Sequence, residues 1–143
     1  DMLGYNFRMS DLHAAIGLVQ IERLQEFTAA RRQNADFFNN NLTSVITPKV
    51  KPGYDHVWHQ YTVRVKQGVD RDGAVNTLQQ VGIGTGIFYP VPAYKHTHLI
   101  ERGYGNLFLP VTEQVVKEVV SLPVHPMLSS DDVEKIIREV NKL

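Results

Sequence analysis

The feature that most constrains this chain is a long run of helical hydrophobic spacing near its start. Ser10 opens the run as an N-cap, and Asp11 sits in the first turn, where the helix dipole favours a carboxylate. Leu12, Ile16, Val19, Leu24, Phe27, Phe38 and Leu42 then recur at helical intervals, with Glu22, Arg23, Gln25, Glu26, Arg31 and Arg32 on the other side. The pattern predicts one long amphipathic helix, interrupted near Thr28 and ending around Asn39 to Asn41. At ~1.5 Å per residue it would reach roughly 45 Å, longer than a small domain is wide. Such a helix connects two domains or runs along an interface. Left bare, its apolar face is expected to drive self-association, or to leave residues 1–27 partly disordered.

The rest of the chain reads as short alternating elements. Pro48, Pro52 and Gly53 mark a loop. From His56 to Val65 the residues alternate, with Val57, His59, Tyr61, Val63 and Val65 on one face, and this predicts a strand. A helix is expected from Asp70 or Arg71 to about Val81, with Gly82 just past its end. "IGTGIFYP" reads as a second strand stopped by Pro90 and Pro92. Thr112 is read as the cap of a further helix, "VVSLPV" as a third strand, and Ser129 with Asp132 as the capping pattern of the last helix. The order predicts an α+β fold, a small sheet with helices packed on one face, preceded by the long connecting helix. The domain boundary is placed at residue 45, with 1–45 as the end of a larger domain and connecting helix, and 46–143 as a small C-terminal domain.

Bulk composition excludes several classes of function. Lys+Arg and Asp+Glu are both 15 in 143 residues, so nothing directs the chain to nucleic acid or an anionic membrane. With no cysteine there is neither a disulfide framework nor a thiolate metal site, which suits a reducing, cytoplasmic location. No apolar run is long enough to span a bilayer. The chain opens without Met, and a motif begins almost at once, so a piece of a longer protein is expected.

Three stretches contain residues suited to chemistry. In "GYNFRM", Asn6 offers an amide that can donate to a phosphate, and Arg8 offers a permanent cation. The same letters also read as a helix lead-in with Tyr5 and Phe7 packing. His56 and His59 flank Trp58, while His96 and His98 lie in a loop. No ligand spacing typical of a metal site is present, so a histidine touching a polar substrate is the better reading. "GIFYPVPAYKH" holds Tyr89, Tyr94, Lys95 and His96 between stiffening prolines. It reads equally as the wall of a sugar or nucleotide site and as a packed surface loop.

Taken together, these stretches resemble a known family. "GYNFRMSDLHAAIGLVQIERL" is similar to the G-x-N-x-R-M-[ST]-[DE]-x-x-A-A-x-G-x-x-Q-[LI] segment of the DegT/DnrJ/EryC1/StrS sugar aminotransferases. "WHQY", "GIGTGIFYPVP", "YGN" before "LPVTEQ", and "SLPVHPMLSSDDVEKI" follow in matching order, so the resemblance covers nearly the whole chain. It implies the small domain of a fold-type-I enzyme, in a homodimer with shared active sites. It implies pyridoxal 5'-phosphate as cofactor, glutamate as the common amino donor and a keto-sugar nucleotide as acceptor. Asn6 matches the asparagine that reaches the cofactor phosphate of the partner subunit. His59, Tyr61, Tyr89, Tyr94, Lys95 and His96 match regions lining the substrate site. Phe88 and Tyr94 stand where many members carry histidine, which bears on the choice of substrate.

The family's Schiff-base lysine lies in a serine- and histidine-containing motif that is not found here, and Lys95 is in the wrong segment to replace it. The aspartate that pairs with the cofactor's ring nitrogen is missing too. The chain alone is therefore expected to be inactive. The resemblance leaves two rivals open: a dehydratase of the same family, and a standalone binding or interaction module.

Overall fold

A computed structural model describes residues 8–143. In chain order the elements are α1 (Asp11–Glu22), α2 (Leu24–Asn41), β1 (Val45–Ile46), β2 (Tyr61–Val65), α3 (Arg71–Gln80), α4 (Thr97–Ile100), α5 (Pro110–Glu118), β3 (Val119–Leu122) and α6 (Ser130–Val140). Short 3-10 turns at Ala93–Lys95 and Tyr104–Asn106 flank α4.

The three strands form one antiparallel sheet in the order β1-β2-β3. Val45 pairs with Val65, Val63 with Val120, and Tyr61 with Leu122, so these six side chains share one face. Ala35 and Phe38 of α2, Val75 and Leu78 of α3, and Ile136 and Val140 of α6 complete a single core with them. The expected small sheet with helices packed on one face is what forms. The opposite face carries Thr62 and Ser121, whose hydroxyls lie 2.7 Å apart, and Arg64, which grips Glu118 at 2.6 Å. The Glu118 carboxyl is held below its usual range, first by the Gln114 amide and then by Arg64.

Helix starts follow local chemistry. Ser10 accepts the His13 N–H, and Asp70 accepts the Asp72 N–H. Ser129 and Asp132 form a reciprocal capping box on α6. Gly82 takes a φ of +80° just past α3, as its placement beyond that helix requires.

Several boundaries depart from the sequence reading. The long helix breaks at Arg23 rather than near Thr28. The Arg23 N–H bonds to Gln20, an i−3 contact that tightens the turn, and its guanidinium lies 4.6 Å above the Phe27 ring. The first strand is shorter than expected, because Trp58 adopts φ +48° and ends the alternation. Trp58 is buried as a result, whereas Val57 and His59 are exposed. "IGTGIFYP" makes no strand, and only Gly86 bridges to Ser121. α5 begins with Pro110 at its first position rather than with a Thr112 cap. β1 was not anticipated; two residues are too few for a periodic signal.

α2 is sunk into the core at Ala35 and Phe38, both 0% exposed, whereas α1 buries no residue. Leu12, Ile16, Leu18 and Ile21 are all more than half exposed, on more than one side of α1. The isolated chain should therefore associate through α1, and sedimentation velocity at two concentrations should show mass rising with concentration. A monomer at both would remove that expectation. Ser129→Ala should lower stability by about 1 kcal/mol, read as an earlier urea midpoint with an unchanged slope.

Candidate functional site

An open groove of about 720 Å³ lies at one end of the sheet. Its walls come from α2, the turn before β2, the loop of residues 82–88, the segment after β3, and α6. Arg31, His59, Thr85, His125, Asp132 and Lys135 bring its polar chemistry. β3 leads directly into Pro123, Val124 and His125, so the sheet's register decides which residues reach this wall.

A clamp shapes one side of the groove. The Trp58 N–H donates to His56 Nδ1 at 2.9 Å, and the two rings lie 4.1 Å apart. Arg32 Nε donates to the His56 carbonyl at 3.1 Å, and Arg31 Nη1 reaches the Trp58 and His59 carbonyls, each at 3.4 Å. Two consecutive arginines of α2 therefore hold the backbone of residues 56–59. A bulky residue at positive φ costs roughly 1–3 kcal/mol and persists only where its surroundings enforce it. Here the clamp and the burial of the Trp58 ring, 5% exposed, enforce it, and His59 is delivered to the groove.

Of the residues singled out from the sequence, His59 lines the groove. Tyr61 does not: it is 0% exposed, its ring packs 5.1 Å from Phe38, and its hydroxyl donates to Asn39 Oδ1 at 2.8 Å. Burial pushes that hydroxyl well above its ordinary value, so it stays a protonated donor. With no surface left, Tyr61 is a core residue of this chain.

The others gather in the loop around α4. Tyr94 is buried, and its hydroxyl donates to Glu113 Oε1 at 2.9 Å; burial and that carboxylate together push it up. The Lys95 ammonium donates to the Gly105 carbonyl at 3.0 Å. The His96 and His98 rings stack at 6.1 Å, and Tyr89 is exposed. Among the described residues no three His, Asp or Glu side chains converge as a metal would need. No helix among them is long and apolar enough to cross a membrane. Asn6 lies outside the described residues.

Arg31, Thr85, His125 and Lys135 were not anticipated from the sequence. They come from four separate segments, and no spacing along the chain links them. The available signals were the stretches that carry the resemblance, "GIGTGIFYPVP" for Thr85 and "SLPVHPMLSSDDVEKI" for His125 and Lys135, and for Arg31 a cation beside the predicted apolar stripe.

With the geometry in hand, comparison with known proteins is decisive. Residues 1–141 match the DegT/DnrJ/EryC1/StrS aminotransferase family. The chain belongs to that family. It is 33% identical over 144 residues to a protein called pleiotropic regulatory protein from Geobacillus stearothermophilus, covering 97% of this chain and 38% of that one. It is 33% identical over 141 residues to dTDP-3-amino-3,6-dideoxy-alpha-D-galactopyranose transaminase from Aneurinibacillus thermoaerophilus, with the same coverage. A crystal structure of a family aminotransferase from Brucella abortus superposes with a TM-score of 0.83 at 30% identity, over 94% of this chain and 36% of that one. The chain thus spans little more than a third of the length of these relatives.

The clamp can be tested directly, because Trp58 is the chain's one tryptophan. His56→Ala leaves the Trp58 N–H without its acceptor and should cost roughly 1–2 kcal/mol. Trp emission should shift to the red as the ring gains water. His56→Asn keeps an acceptor and should recover part of both effects; unchanged emission in His56→Ala would remove the clamp from the account.

Proposed function

We propose that this chain is the C-terminal part of a pyridoxal phosphate-dependent aminotransferase that moves an amino group, commonly from glutamate, onto a keto-sugar nucleotide. The observation that carries the reading is the family match over residues 1–141, together with a transaminase among the relatives at 33% identity. In this reading residues 1–45 are the end of the large domain and the connecting helix, and 46–143 the small domain. The enzyme is a cytoplasmic homodimer with shared active sites. Asn6 donates its amide to the cofactor phosphate of the partner subunit. His59, Tyr89, Tyr94, Lys95 and His96 face the nucleotide sugar; Tyr61 supports them from the core.

The described residues do not by themselves fit the reactive half of the cofactor. A Schiff base needs a lysine amine aimed at the cofactor; none of the chain's seven lysines sits in the family's Schiff-base motif, and the half-buried Lys95 ammonium is held by the Gly105 carbonyl. In this reading the cofactor's lysine and the partner of its ring nitrogen come from residues other than these, and the chain alone is inactive. What the chain supplies is a rigid wall: α2 and the clamp fix His59, and the Tyr94–Glu113 and Lys95–Gly105 bonds fix the loop that presents Tyr89 and His96.

A second reading, a module kept for its contacts, draws on the relative called a regulatory protein. Absorbance of the full-length protein with pyridoxal phosphate separates the two. The expected result is a Schiff-base band that moves to the amine form when glutamate is added. Binding without that movement favours the dehydratase branch or another donor. No band at all would overturn the enzyme reading and leave the module.

A further inference from the structure

We propose that the turn at residues 56–59 is a pH-sensitive latch: protonation of His56 releases the Trp58 backbone, and with it the part of the groove wall that carries His59. Three features of the turn meet at one hydrogen bond.

The first is the chemistry of that bond. The Trp58 N–H donates to His56 Nδ1 at 2.9 Å. A ring nitrogen that accepts carries no proton, whereas an imidazolium carries a proton on both nitrogens. A proton added to the ring therefore sets two N–H donors against each other and breaks the bond. The other bonds of the clamp do not respond in this way. Arg31 and Arg32 hold the carbonyls of His56, Trp58 and His59 through guanidinium groups that stay charged, and over longer distances, 3.1 to 3.4 Å. Histidine is the side chain that ordinarily changes charge between about pH 5 and 8. The shortest bond of the clamp is thus the one open to titration, and His56 is exposed to the solvent that supplies the proton.

The second is what the bond restrains. Trp58 is the only residue other than glycine with a positive φ among the described residues, and at +48° a bulky side chain stays only while its surroundings enforce it. The two rings, 4.1 Å apart, keep their contact when the proton arrives, because an indole face attracts an imidazolium. The proton frees the backbone N–H rather than the indole. The change passes to the next residue, His59, which lines the groove.

The third is the lack of a substitute. Arg32 and Asp36 of α2, and Lys49 and Tyr54 of the loop after β1, line the same hollow as His56. Asp55 adjoins it in sequence, and Arg31 meets the turn at Trp58 and His59. Neither carboxylate forms an ion pair with the His56 ring. A protonated ring therefore has no anionic partner that would hold the turn in place of the lost bond.

NMR of the full-length protein carrying isotopically labelled tryptophan reads the bond itself. The Trp58 amide is assigned through carbonyl-labelled valine, since Val57 precedes it, and by its loss in Trp58→Phe. As the pH falls from about 8 to 5, the Trp58 amide proton should move upfield along a single-proton curve as it loses its acceptor. His56→Asn supplies the comparison. An asparagine side-chain oxygen accepts from the N–H two residues on and takes no proton in this range, so its Trp58 amide should stay fixed. His56→Ala should hold, at every pH, the position that the unaltered protein reaches only in acid. A movement that persists in His56→Asn, which retains His59, would belong to another group and overturn the proposal. An amide that stays fixed in the unaltered protein would overturn it as well. The latch needs neither the cofactor nor the enzyme reading, so an absent Schiff-base band leaves these outcomes unaffected.

Discussion

The burial of Tyr61 at the centre of the sheet is the contact on which the rest of this fold depends. Its ring meets Phe38 of α2 and lies 5.4 Å from Trp58, and its hydroxyl ends on Asn39. A buried phenol is tolerated only with a hydrogen-bond partner, so this one bond ties the depth of β2 to the rotation of α2. Once α2 is rotated to present Phe38 and Asn39 inward, Arg31 and Arg32, one to two turns earlier, reach the 56–59 segment. The core contact and the wall of the groove are two consequences of one helix orientation.

The same helix explains the contrast between its two halves. Beyond Arg23, Ala35 and Phe38 meet the sheet side of the core and are fully buried; before it, α1 buries none of its residues against the rest of the described chain. Periodicity told where apolar residues would line up. It carried no information on which part of that line would find a partner, since that depends on where β2 and α6 lie. The 45 Å connecting helix of the sequence reading is better described as an anchored half and a free half.

Much of the candidate site was hidden for a related reason. His59 was legible because it sits beside an aromatic run that resembles a family motif. Two positions along a strand return to the same face, but the turn at Trp58 separates the exposed His59 from the buried Tyr61. The 82–88 loop was read as a strand because Ile83, Thr85 and Ile87 alternate with glycines. Glycine weakens a strand, and only one bridge to β3 survives, which leaves backbone open to the groove.

The sequence by itself determined the family, the helix caps at Ser10 and Ser129, the α+β class and the absence of a lysine in the family's Schiff-base motif. These are properties of local spacing and side-chain chemistry, and each acts within a few residues. Only the tertiary structure decided that Arg31, Thr85, His125 and Lys135 share one groove. It also decided that Tyr94 and Lys95 are held by Glu113 and Gly105, and that Tyr61 lies in the core. Those outcomes depend on the antiparallel register of three short strands and on the rotation of α2 and α6 over them. Such long-range packing is a property of the whole chain, and no window of sequence contains it.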